Sequence, residues 1–188
     1  MVTIFCVIDS RQRMGKHVPS HEMPLQPQVL IKPFKKWALD FIGPINPPSR
    51  KKRYILVCIG YVTKCVEAKS LPFATENVVV SFLFEDIFTH FGVPREIVTD
   101  QGTQFTSRLV QKLVDQYKIK HRKSTPYHPQ ANGQVEPTNK VIESILTMIV
   151  HLHGKDWVEK LLEALWAYRT TWRNTTRHTP DRVPNPYL

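Results

Sequence analysis

Trp37-Ala38-Leu39-Asp40-Phe41-Ile42-Gly43-Pro44 (WALDFIGP) is a compact apolar run that holds one acid and stops at Gly-Pro. A short run of aromatic and aliphatic side chains bounded by turn formers reads as a β-strand. A Pro/Ser/basic turn carries the chain through Lys52. Tyr54 to Ile59 (YILVCI) then reads as a buried strand, and Val62 to Ser70 as a third. Connections this short make the three strands an antiparallel meander.

Working outward, the periodicity changes. Thr75 can cap a helix whose apolar positions recur at Val78, Val79, Phe82, Leu83, Ile87 and Phe91 before Gly92 stops it. Glu96 to Thr99 is a short strand running into Asp100. Ser107 to Tyr117 is a second helix, and Ile119 to Ser124 a fifth strand. A long amphipathic helix is expected from about Gln134 to Leu152, and another from Lys155 to Trp172. The order β-β-β-α-β-α-β-α-α predicts an α/β fold, a five-stranded mixed sheet with helices on its faces. Three regions follow. Residues 1–35 form an irregular arm with Pro19, Pro24, Pro27 and Pro33, residues 36–173 the folded core, and residues 174–188 a polar, proline-rich tail.

The chain has 188 residues, enough for one core of ordinary domain size. No apolar run reaches the roughly 18 residues of a membrane span. The N-terminus lacks the basic n-region of a signal peptide. Three cysteines (Cys6, Cys58, Cys65) with no close pair argue against a disulfide framework and for a reducing compartment. Together these features predict an intracellular protein, in nucleus or cytoplasm, with no membrane partner. Lys plus Arg number 26 against 16 Asp plus Glu, a net charge of +10, which favours a polyanion and above all nucleic acid.

Acids at strand and helix ends are the candidate chemistry. Asp40 lies in the first strand, Asp100 where the fourth strand meets a turn, and Glu136 at the start of the long helix. Each has an ordinary reading: Asp40 paired with Lys36, Asp100 as turn former, Glu136 as complement to the helix dipole. The topology adds another, since neighbouring central strands set Asp40 beside Asp100 and the helix after the fifth strand can bring Glu136 to face them. Three carboxylates without cysteine or paired histidine suit Mg²⁺ or Mn²⁺ and not Zn²⁺. Two such ions drive in-line displacement at a phosphodiester.

The segments WALDFIGP (37–44), YILVCIGYVTKCVEA (54–68), IFTHFGVPREIVTDQGTQFTS (87–107), STPYHPQANGQVE (124–136) and ALWAYRT (164–170) resemble the catalytic core of retroviral-type integrases, in particular those of Ty3/Gypsy long-terminal-repeat retrotransposons. The family pattern is two aspartates and a glutamate, with 35 residues between the second and third. Here residues 101 to 135 separate Asp100 from Glu136, which is 35. The resemblance implies a ribonuclease-H-like fold and metal-dependent trimming of DNA ends, followed by joining of the 3′-hydroxyl to target DNA. It makes Asp40, Asp100 and Glu136 the catalytic and metal-ligand residues for two Mg²⁺ or Mn²⁺ ions. It also implies a homodimer or higher oligomer, and a DNA-contacting loop with Tyr127, His128, Gln130, Asn132 and Gln134. Lys140 shares the helix face of Glu136 and either contacts a phosphate or pairs with Glu136.

The chain departs from that pattern in several places. Ile8 and Arg11 fall where the cysteines of the family's N-terminal zinc module belong, so residues 1–35 read as a remnant of that module and no zinc site is expected. Pro137 follows the glutamate where relatives carry another residue, and Gly60 stands where an acid is common. The family's C-terminal DNA-binding parts are not expected in the tail. Such departures fit a truncated or degenerating copy. The alternative reading is a catalytically inactive or host-adopted nucleic-acid-binding protein of the same fold. A nuclease acting on RNA–DNA hybrids fits the spacing less well.

Overall fold

The computed structural model describes residues 32–124, 135–150, 154–172 and 176–180. The expected N-terminal arm up to residue 31, with Cys6, lies outside them, as does the loop carrying Tyr127, His128, Gln130, Asn132 and Gln134.

The elements run β1 (Lys36–Ile42), β2 (Tyr54–Gly60), β3 (Val66–Leu71), α1 (Glu76–Phe82), a π-helical segment (Leu83–Phe88), α2 (Thr89–Phe91), β4 (Glu96–Thr99), α3 (Thr103–Thr106), α4 (Arg108–Gln116), β5 (Lys120–Lys123), α5 (Val135–Ile149) and α6 (Trp157–Thr170). The five strands form one sheet in the order β3-β2-β1-β4-β5. β1 and β2 pair antiparallel, as do β2 and β3, while β4 runs parallel to β1 and β5 parallel to β4. This is the mixed sheet expected from the sequence.

Side chains alternate across the sheet and build two cores. On one face Trp37, Leu39, Leu56, Cys58 and Ile97 pack with Val79, Phe82, Ile87, Phe105, Val110 and Val114 from the α1–α4 helices. On the other, Ala38, Ile42, Ile55, Val57, Ile59 and Val98 pack with Ile142 and Leu146 of α5 and Leu161, Ala164, Leu165 and Tyr168 of α6. Cys58 is a buried core thiol, and burial pushes its pKa up. Among the described residues no helix is long and apolar enough to cross a membrane.

Several boundaries differ from expectation. The helix expected up to Gly92 is continuous but passes through the π-helical turn of Leu83–Phe88, and the short helix α3 was not expected. The third strand begins at Val66, later than expected, because the preceding residues form a turn. In that turn Gly60 N donates to Cys65 O at 2.9 Å and Lys64 N to Gly60 O at 2.9 Å, with Lys64 at φ 58°.

This turn accounts for Gly60. A Cβ there would lie 2.4 Å from Thr63 Oγ1, and Thr63 is buried and accepts the Cys65 N–H at 3.2 Å. Gly60→Ala is therefore expected to cost about 1–2 kcal/mol in urea unfolding, and Thr63→Ala in the same chain to return part of it. A neutral Gly60→Ala would show that the turn yields freely.

Candidate active site at the strand ends

The sheet register builds the site. Lys36 aligns with Glu96, Trp37 with Ile97 and Ala38 with Val98 on the parallel pair β1–β4. Asp40 lies two residues beyond Ala38, and Asp100 two beyond Val98, so the acids leave neighbouring strands at the same level. They share the parity of Ala38 and Val98, whose face packs against α5 and α6. Glu136 sits in the first turn of α5 and is exposed.

Asp40 is half-buried. Its Oδ1 accepts the Phe41 N–H at 2.8 Å, and its Oδ2 accepts from Asn139 Nδ2 at 2.9 Å. Its pKa is pushed up to about 6, first by burial and then by the negative charges of Asp100 and Glu136, against the lowering effect of the two hydrogen bonds. The three acids thus share one electrostatic neighbourhood. Lys36 does not pair with Asp40; it pairs with Glu96 at 2.9 Å and lies over the Tyr61 ring. Asp100 Oδ1 accepts the Gly102 N–H at 2.8 Å. A Cβ on Gly102 would stand 2.9 Å from that oxygen and 2.3 Å from Gln104 Nε2, so the turn after β4 is closed around the carboxylate.

Asn139 was not singled out by sequence. It is buried, ties α5 to the Asp40 carboxylate, and its Oδ1 has no hydrogen-bond partner among the described residues. Its place one turn after Glu136 was the available signal, because residues three apart share a helix face. Lys140 is exposed on α5, and among the described residues no ion pair joins it to Glu136.

Pro137 is the third residue of α5. The first four N–H groups of a helix have no intrahelical acceptor, so proline loses no hydrogen bond there. The helix runs through it with Glu136 in the first turn.

Among the described residues, no group of three His, Cys, Asp or Glu side chains stands gathered as a finished ligand set. The donors nevertheless fit a hard divalent cation. They are carboxylates, the oxygen donors such a cation takes, and Asp40, whose pKa is raised first by burial and then by its acidic neighbours, has no cation beside it among the described residues. A groove of about 870 Å³ opens beyond Ile42 between β1, α5 and Trp157. Among the described residues, the one ionisable side chain lining it is Glu143. Along the sheet edge, β5 exposes Lys120, Arg122 and Lys123, with Arg122 Nε 3.2 Å from Glu96 Oε1.

The family model described as "Integrase core domain" matches residues 31–129, just over half of the chain. The chain is 31% identical over 159 residues to a Pro-Pol polyprotein of simian foamy virus type 3 (strain LK3), covering 85% of the chain and 14% of the polyprotein. It is 29% identical over 168 residues to that of feline foamy virus, covering 88% and 14%. The chain thus spans only a small part of these relatives. Among solved structures, the HTLV-2 integrase catalytic core domain in complex with magnesium (trimeric form) shares the fold at TM-score 0.66 and 22% identity, over 81% of this chain and 97% of that one. A simian T-cell lymphotropic virus intasome in complex with PP2A regulatory subunit B56 gamma does so at 0.67 and 21%, over 82% and 56%. The five-stranded sheet is accordingly the ribonuclease-H-like sheet of these cores. The family match, the matching relatives and the common fold agree: the chain belongs to the integrase core domain family, as a retroviral-type integrase catalytic core.

Proposed function

We propose that the chain is the catalytic core of an integrase of the Ty3/Gypsy type, a polynucleotidyl transferase that trims DNA ends and joins their 3′-hydroxyls to target DNA. The observation that carries this reading is the register that levels Asp40 with Asp100 on adjacent parallel strands, with α5 tied to the Asp40 carboxylate through Asn139, three residues after Glu136. Asp40, Asp100 and Glu136 are the residues that would hold two Mg²⁺ or Mn²⁺ ions. Such ions, when bound, supply Lewis-acid activation of the attacking oxygen and stabilisation of the leaving one.

The rest falls to the chain's own side chains. Asn139 Nδ2 and the Phe41 N–H fix the two oxygens of Asp40, and the Gly102 N–H fixes one oxygen of Asp100. The exposed Lys140 of α5 and Lys120, Arg122 and Lys123 of β5 offer positive charge to a DNA backbone. By resemblance to the family, Tyr127, His128, Gln130, Asn132 and Gln134 would contact the DNA end. Exposed Leu162 and Trp166 on α6 support a homodimer or higher oligomer, one site serving each DNA end.

A strand-transfer assay with Mn²⁺ and a short duplex mimicking the element's end tests this. The wild type is expected to join ends, Glu136→Gln to lose about a hundredfold or more, and Pro137→Arg to stay within about threefold of wild type. DNA binding without joining in all three would favour the catalytically inactive, host-adopted alternative.

A further inference from the structure

Two peptide planes fix the direction in which a residue sends its Cβ, because each plane is rigid and only φ and ψ lie between them. Both planes around Asp100 are held. Thr99 O, on the plane before it, accepts from Ser124 N at 2.8 Å and Ser124 Oγ at 3.2 Å. Asp100 O, on the plane after it, accepts from Thr99 Oγ1 at 2.8 Å. The first hold is mostly backbone ladder. The second depends on one hydroxyl keeping one rotamer.

That hydroxyl is held from the edge strand. His121 Nε2 lies 2.9 Å from Thr99 Oγ1, and Thr99 is buried. A hydroxyl has one proton, and here it goes to the Asp100 carbonyl, which can only accept. His121 must therefore donate through Nε2–H, leaving Nδ1 as the bare nitrogen. Nδ1 is buried and has no hydrogen-bond partner among the described residues, so a proton added there would find no acceptor among them. Burial and then nearby Lys123 hold the ring's pKa below its usual value, in the same direction. The ring stays neutral and of one tautomer, a fixed donor.

We infer that His121 is a positioning residue for the carboxylate site: its Nε2–H holds Thr99 Oγ1, Thr99 Oγ1 holds the Asp100 carbonyl, and the edge strand β5 thereby sets the direction of the Asp100 carboxylate towards Asp40. The inference rests on the reading that Asp40, Asp100 and Glu136 hold divalent ions.

The test measures Mn²⁺ binding by the electron paramagnetic resonance signal of free Mn²⁺, alongside strand transfer, in His121→Ala, His121→Gln, Thr99→Val, Thr99→Ser and the double variant His121→Ala/Thr99→Val. Asp40→Asn serves as the control for site-specific Mn²⁺. His121→Ala and Thr99→Val are each expected to weaken Mn²⁺ binding about tenfold, the usual scale for residues that orient metal ligands. Gln keeps an amide donor and Ser keeps the hydroxyl, so both should recover most of the loss. The double variant should be no worse than the worse single, since both substitutions break one chain. Metal-free affinity for duplex DNA should be the same throughout, which a general loss of structure would not allow.

Equal Mn²⁺ binding in all variants, additive losses, or a Gln variant as weak as Ala would each overturn the role of His121 while leaving the carboxylate reading intact. A wild type that binds no more Mn²⁺ than Asp40→Asn would overturn both.

Discussion

Asp40→Asn is expected to abolish strand transfer and yet to melt higher than the wild type above pH 6. A carboxylate whose folded pKa is raised to about 6 binds more protons folded than unfolded. Its contribution to stability is therefore fully present below the unfolded value near 4 and is lost as pH rises through 6. Asparagine has no charge to lose. The difference between variant and wild type should be near zero at pH 4, grow between pH 4 and 6, and plateau at about 2 kcal/mol after allowance for partial solvent screening.

The new amide meets existing partners. One end can accept the Phe41 N–H, and Asn139 can turn its unpaired Oδ1 towards the other. Adding Mn²⁺ should raise the wild-type melting temperature and leave that of Asp40→Asn unchanged. Thermal melts at four pH values, with and without Mn²⁺, check both statements. A variant that melts lower than wild type at pH 7.5 would show that the Asp40 charge is compensated in the metal-free protein.

Arg169→Ala is expected to give the largest loss of stability, about 3 kcal/mol in urea unfolding, without touching the carboxylates. Arg169 lies in the last turn of α6 and reaches β3. Its Nε and Nη2 donate to Val66 O at 3.0 and 2.7 Å, and Nη2 lies 2.8 Å from Glu67 Oε1. Glu67 is partly buried and its pKa is raised by burial despite this partner. Removing the guanidinium leaves a half-buried carboxylate and a carbonyl without their donors, and unpins α6 from the sheet. Lysine keeps the charge but cannot span both acceptors with a planar fork, so Arg169→Lys should recover less than half. A loss under about 1 kcal/mol in Arg169→Ala would mean that water replaces the side chain at little cost.

The order of elements along the chain, with Asp40 in the first strand and Asp100 at the end of the fourth, was legible in the sequence because each rests on local signals. Trp37 to Ile42 and Tyr54 to Ile59 are apolar runs ended by turn formers, and Asp100 follows a run too short to be anything but a strand end. The family spacing then singled out Glu136. What the sequence hid depends on tertiary partners. The π-helical turn at Leu83–Phe88 keeps Leu83, Ile87 and Phe88 buried, a pattern that an α-helix would also give. Asn139, Thr99 and His121 are polar residues in a helix and two strands, and only the packing of α5 on β1 and of β5 on β4 gives them partners. The bland reading of Asp40 with Lys36 failed for the same reason: Glu96, one strand over, lies on the face Lys36 uses.

The edge position of β5 has a consequence for the behaviour of the protein at high concentration. A strand at the margin of a sheet offers unpaired backbone groups to any other chain and is the usual starting point of fibre growth. Lys120, Arg122 and Lys123 occupy three of the four positions of β5. Two such margins approaching each other would set these like charges side by side before any backbone bond could form, so the same cations that suit a phosphate backbone also keep the open sheet from extending into a neighbour.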